Sequence, residues 1–313
     1  MSAPSAGAPA GATPQPLPKS GLALLAALSL FWGLNWPFMK IALGAIPVWS
    51  FRSLCLLAGG CGLLLLAAAL RRPMRLTRGE LRPLVVCTLF NVVGWHLCSA
   101  YGVTLIPAGR AAIIAFTMPL WAALFAGPLL GERLTPFGLA GLTLGLAGLG
   151  VLIGPELVGL GAAPLGALFM VGAAISWGIG TLLLKRYRWS VGPATLAGYQ
   201  LATGALPVTL GALVLERDAT YGPLTGEVLL AIAYILLLAM VFCHWAWFRL
   251  VGLFPAVVAA LGTLAIPVVG VLSSSLLLDE PLGWRELAAL LLTCAALALV
   301  LVVPALGGPG AAR

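Results

Sequence analysis

Two histidines stand in the middle of long apolar stretches, His96 in NVVGWHLCSAYG and His244 in AMVFCHWAWF. Imidazole is the side chain that titrates near neutral pH, so the pair could relay protons. Each could equally be a structural group bonded to a neighbouring helix. Two lysines close apolar stretches within a repeated phrase, Trp32-Gly33…Lys40 and Trp177-Gly178…Lys185, whose copies lie 145 residues apart. An ammonium at such a place can snorkel to lipid headgroups, or it can draw an anionic or zwitterionic solute toward a path. Asn35 precedes Pro37 by two positions. It can bond the carbonyl that a proline frees, or it can line a cavity. Asn91, Tyr101, Tyr199, Gln200 and Thr203 are further polar groups within apolar runs, where bonds between helices would explain them. Trp32, Trp95, Trp177 and Trp245 lie deep, whereas Trp49, Trp189 and Trp284 fall near run ends. Aromatic walls with a few polar groups suit a small-solute pocket, though core packing accounts for any single one.

Other chemistry is missing. The nine acidic residues, Glu80, Glu132, Glu156, Glu216, Asp218, Glu227, Asp279, Glu280 and Glu286, all sit at run ends or between runs. A buried carboxylate relay and a carboxylate-built sodium site are therefore unsupported. There is no HExxH, no paired carboxylate within a run and no Ser/His/Asp set in reach, so no enzyme and no catalytic residue is expected. None of the six cysteines forms a CxxC pair, so neither a metal site nor a disulfide framework is indicated, and no cofactor is implied. Arg52 and Arg110 are each expected a few residues inside a helix on the outer side. A buried charge is costly in a membrane, so each needs water or a partner.

The elements that must position these groups follow from composition. Only 8% of the 313 residues are charged, 61% are hydrophobic and the mean hydropathy is +1.09. A soluble domain carries about 25% charged residues. The chain therefore reads as a polytopic membrane protein. Ten charge-free runs are long enough to span a bilayer as helices: 20–39, 53–70, 83–109, 111–131, 134–155, 157–184, 189–215, 228–248, 250–278 and 287–312. They lack the alternation of a barrel strand. Residues 1–19, rich in proline, read as a disordered cytoplasmic tail, and 305–313 as a short C-terminal tail. With the N-terminus inside, twelve Lys and Arg fall on the inner side and five on the outer. The excess places both termini in the cytoplasm. The net charge of +8 follows from that topology and from a basic 71–82 loop suited to anionic lipid. It needs no nucleic acid.

At an offset of 148 the echo becomes a repeat: Pro107-Ala108 meets Pro255-Ala256, Pro119 meets Pro267, Glu132 meets Glu280, and His96 meets His244. Rare residues matched in one register carry this inference, more than the many matched leucines do. The halves are 20–154 and 162–304. Each has five helices, so the second enters from the opposite face. Inverted repeats of this kind are a hallmark of secondary transporters, with substrate near the midplane between halves. Pro107, Pro119, Pro255 and Pro267 are hinge candidates, although the first of each pair can merely start its helix. Gly141-x-x-x-Gly145 is a close-packing face. It could join the halves or a second protomer, so a homodimer stays open.

These residues resemble the drug/metabolite transporter superfamily, EamA-like family. The phrase FWGLNWPFMK, the basic loop after helix 2, the block IPAGRAAIIAFTMPLWAALFAGPLLGERLT and its partner FPAVVAALGTLAIPVVGVLSSSLLLDEPLG are similar to that family's, and the resemblance runs from about 20 to 304. It implies an all-α, ten-helix inner-membrane protein of two inverted five-helix repeats. It also implies export of small metabolites, amino acids or drugs among them. The alternatives are a channel-like facilitator and a membrane scaffold without transport. The expected pathway residues are Trp32, Asn35, Lys40, Asn91, Trp95, His96, Tyr101, Trp177, Lys185, His244 and Trp245.

Overall fold

The computed structural model describes residues 19–132, 134–157, 162–253 and 256–303. The described chain is helical: α1 (Lys19–Leu43), α2 (Val48–Ala69), α3 (Arg78–Leu105), α4 (Ala108–Leu130), α5 (Pro136–Leu157), α6 (Ala162–Arg186), α7 (Pro193–Leu215), α8 (Gly226–Leu253), α9 (Ala256–Leu278) and α10 (Trp284–Val302). Nine of these contain stretches long and apolar enough to cross a membrane, and α9 adds the apolar stretch Thr263–Leu278. The protein is a ten-helix, multi-pass membrane protein. Helices apolar all round can face lipid on one side and core on the other. On α7, Leu201, Gly204, Ala205 and Val208 are buried while Leu206, Leu210 and Leu213 are exposed.

Small residues set the contacts, since in lipid close packing replaces the hydrophobic drive between helices. A Cβ at Gly60 of α2 would lie 2.7 Å from the Ala202 nitrogen of α7. Gly141 and Gly148 of α5 face the carbonyls of Ala296 and Ala289 on α10. The Gly141-x-x-x-Gly145 face thus joins α5 to α10 within one chain.

The principal pairings are α2 with α7, α1 with α9, α5 with α10, α3 with α6, α4 with α6, α4 with α9 and α1 with α8. If each helix is replaced by the one five places along, the set maps onto itself. The α1–α9 pair becomes α6–α4 and α3–α6 becomes α8–α1, while α2–α7, α4–α9 and α5–α10 return unchanged. Most strong contacts therefore run between the halves.

Charge-free runs misplace boundaries. Helix α8 runs on past Arg249 to Leu253, into the expected run 250–278. The run 83–109 predicts a helix through Pro107, but α3 stops at Leu105 and Ile106 is extended. Residues before proline disfavour the helical region. Pro107 caps α4, whose second residue is Gly109. Arg110 therefore sits in the first turn of α4.

Candidate functional site

Of three π-helical segments among the described residues, one closes α10 at Ala298–Val302 and the other two lie at matching places in the two halves. Leu89–Gly94 in α3 and Ile235–Phe242 in α8 are π-helical, and His96 and His244 each follow two residues beyond. Segments of this kind leave carbonyls loosely held and recur at functional sites. Here side chains take them, from other helices and, for His244, from α8 itself. Trp32 Nε1 of α1 donates to the Ala239 carbonyl at 3.3 Å, and His244 Nδ1 lies 3.1 Å from the same oxygen. Ser176 Oγ of α6 donates to the Phe90 carbonyl at 2.8 Å. Trp32 stands edge-on to His244 with ring centroids 5.7 Å apart and meets Trp247 at 6.1 Å. On the other side Trp177 meets Trp95 at 5.0 Å. The two tryptophans of the repeated phrase each pack against the π segment of the opposite half.

Asn91 lies within the α3 π segment and is 5% exposed, and a Cβ at Gly180 of α6 would strike its Oδ1. Among the described residues that acceptor has no hydrogen-bond partner, nor has Nδ1 of the buried His96. Trp245 meets Phe242 at 5.8 Å along the α1–α8 seam. Asn35 is half-buried and makes no side-chain hydrogen bond among the described residues. Tyr234 escapes sequence reasoning because its run looks uniformly apolar. Its hydroxyl donates to the Phe31 carbonyl at 2.8 Å, and its ring stacks on Phe38 at 4.3 Å.

The remaining expected residues lie toward the ends. Lys40 points inward, not to headgroups: Nζ donates to the carbonyls of Val103 and Ile106 at 2.7 and 2.6 Å, at the negative C-terminal end of α3. Lys185 is exposed and pairs with Glu132 at 2.6 Å. Tyr101 accepts from Trp49 Nε1 at 2.8 Å and stacks on Phe169 at 5.3 Å, which makes Trp49 a packed residue as well. Near Pro119, α4 is broken by a turn at Phe116 and Thr117, whereas Pro267 is buried within a continuous stretch of α9. Pro255 lies outside the described residues.

Carboxylates at the ends hold helix starts. Glu280, after α9, accepts the amides of Ala108 and Gly109 at 2.6 and 2.9 Å. Glu216, after α7, accepts those of Trp49 and Ser50 at 2.8 and 2.7 Å. Glu286 pairs with Arg110 at 2.7 Å. Glu80 takes the Ser190 amide and the Ser190 hydroxyl. These contacts join only ends that the charge-based threading puts on the same side. Beside Glu280, Pro107, Arg110, Ser275 and Glu286 line a hollow of about 10 Å³, room for about one water. Among the described residues no three His, Cys, Asp or Glu gather as a metal site.

A profile described as the EamA-like transporter family matches residues 19–154 and 164–302. The uncharacterized transporter YvbV of Bacillus subtilis is 32% identical over 91% of this chain and 92% of its own length. A probable amino-acid metabolite efflux pump of Escherichia coli is 28% identical over 87% and 91%. The aromatic amino acid exporter YddG of Ancylobacter novellus is 34% identical over 52% and 57%. A solved crystal structure superposes with a TM-score of 0.60 at 24% identity, covering 90% of this chain and 96% of the other.

Proposed function

The chain belongs to the EamA-like transporter family, and from that premise we propose that it exports amino acids or related small metabolites by alternating access between two inverted five-helix halves. The observation that carries this reading is the packing that maps onto itself when the halves are exchanged. Such a molecule has two arrangements of similar energy, one open to each side, which is what a carrier needs. The names of the efflux pump and the exporter among its relatives support the solute class. The paired half-sites are the proposed path: Trp32, His244 and Trp245 from one seam, Asn91, Trp95, His96 and Trp177 from the other. Lys40, Lys185 and Tyr101 hold the ends instead, and Asn35 stays a lining candidate on α1. The protein acts as a carrier without enzymatic chemistry, in the inner membrane, with both termini cytoplasmic as the lysine and arginine count supports.

The test is flux in proteoliposomes, loaded with a panel of amino acids, nucleobases and their analogues. Saturable, protein-dependent efflux of at least one member, with counterflow, is the expected result. Efflux no faster than from empty liposomes across the panel would refute export of this class. Flux that does not saturate would favour a channel-like facilitator.

A further inference from the structure

Arg52 is a buried charge that pairs with no described carboxylate. It lies on α2 close to the Glu216-capped helix start and is 4% exposed. Its Nη2 donates to Ser99 Oγ of α3 at 2.9 Å and meets Met39 Sδ of α1 at 2.8 Å. Both partners are neutral, and a thioether is a weak acceptor. Among the described residues Nε–H makes no hydrogen bond, and the Cys55 thiol beside the guanidinium is neutral and at best a weak acceptor. Glu216 is engaged by the Trp49 and Ser50 amides, and the ion pairs among the described residues leave Arg52 out. A guanidinium keeps its proton in any protein setting, so the charge cannot be removed by neutralisation. Leaving it buried and unpaired is expensive.

The surroundings add no negative charge. Ser99 Oγ also contacts the His96 carbonyl at 3.2 Å, which ties Arg52 to the histidine of the α3 half-site. Among the described residues Nδ1 of that histidine is unpartnered too. We propose that Arg52 is the carboxylate-binding residue of the transported solute, with Ser99 orienting its guanidinium and His96 flanking it. This rests on the export reading and names the chemical class it handles: small solutes bearing a carboxylate. A planar guanidinium with a free Nε–H suits a carboxylate, which can accept two parallel bonds. Asn91 does not grip the same headgroup. It lies eight residues before Ser99, roughly 12 Å along a helix, too far to share the ammonium and carboxylate of one amino acid.

The experiment uses the full chain in detergent and matched pairs of probes: phenylalanine, threonine and methionine against their amides. Binding is read by competition with a radiolabelled acid and by thermal stabilisation. The wild type is expected to bind at least one acid tenfold or more tighter than its amide, and Arg52→Gln to abolish that preference while amide binding changes less than threefold. An unchanged preference in Arg52→Gln, or no preference in the wild type, overturns the assignment. Should Arg52→Gln fail to fold, Arg52→Lys carries the test. It keeps the charge but not the fork, so the preference should fall at least threefold, and an unchanged preference overturns the assignment. Flux of the same pairs separates the two readings. Carboxylate-selective binding without flux sinks export and leaves the subsite standing. Flux without carboxylate preference sinks the subsite and leaves export standing.

Discussion

A carboxylate that accepts two amides at a helix start is held by two charge-assisted bonds away from bulk water, whereas one that meets an exposed ammonium has its bond screened by solvent. Glu280 is the first kind, on Ala108 and Gly109 of α4. Lys185 with Glu132 is the second, with side chains 64% and 48% exposed. Hydrogen bonds to charged groups contribute about 1.5–3 kcal/mol, whereas exposed pairs give less than about 1 kcal/mol. Glu280→Ala is therefore expected to destabilise the protein by about 2 kcal/mol, and Lys185→Ala by under about 1 kcal/mol. Thermal unfolding of the purified chain in detergent reads both, and equal losses would contradict this account. The repeated phrase makes Lys40 and Lys185 look alike, yet one caps α3 from inside and the other sits in an exposed ion pair. Sequence spacing reports the position of a side chain along its helix. It does not report which neighbouring helix end the side chain meets.

Helix number and order were legible because charges cluster at run ends. The π segments were not legible. One widened turn shifts a helical register by a single residue, and in runs such as AYILLLAMVF an apolar residue replaces an apolar residue. The tryptophan–histidine contacts depend on those turns, so the aromatic candidates could be named while their partners could not. Glycines tell more once their neighbours are known. Gly145 of α5 faces Leu120 of α4 and Ala296 of α10 so closely that a Cβ there would collide with the leucine. Overpacking of this kind costs about 1–3 kcal/mol. Gly145→Val is expected to lower thermal stability by that order while leaving the oligomeric mass by light scattering unchanged. A shift in mass with stability intact would place this face between protomers instead. Gly180→Ala should act nearer the function, since its methyl would push Asn91 and the α3 backbone from α6. Its effect is expected as at least a fivefold loss of flux in protein that still folds.

At the scale of the whole molecule, one end is tied between halves. Glu280 joins α9 to the start of α4 and Arg110 joins α4 to Glu286 of α10, while Lys40 ties α1 to the end of α3 within the first half. Alternating access requires α4 and α9 to part at this end during each cycle, so a covalent tie there should stop transport without disturbing the fold. The packing offers a place for one. A Cβ built on Gly109 would lie 3.6 Å from the Cβ of Ser274 on α9, inside the range of about 3.5–4.5 Å that a disulfide spans. The nearest other atoms, Glu280 Oε2 and the Val271 Cα, stand at 3.5 Å, so the added side chain is tolerated. The paired variant Gly109→Cys, Ser274→Cys is expected to lose at least tenfold of its flux on oxidation and to regain it on reduction. Each single variant, which retains the six native cysteines, controls for unrelated thiol chemistry and should keep its flux under oxidant. Binding separates a trapped carrier from a damaged one. If Arg52 receives solute only when this end opens, the oxidised pair should lose carboxylate-selective binding from outside as well as flux. Full flux in the oxidised pair, with the crosslink confirmed by mass spectrometry, would mean that α4 and α9 stay together throughout the cycle and that the halves do not rock about this contact.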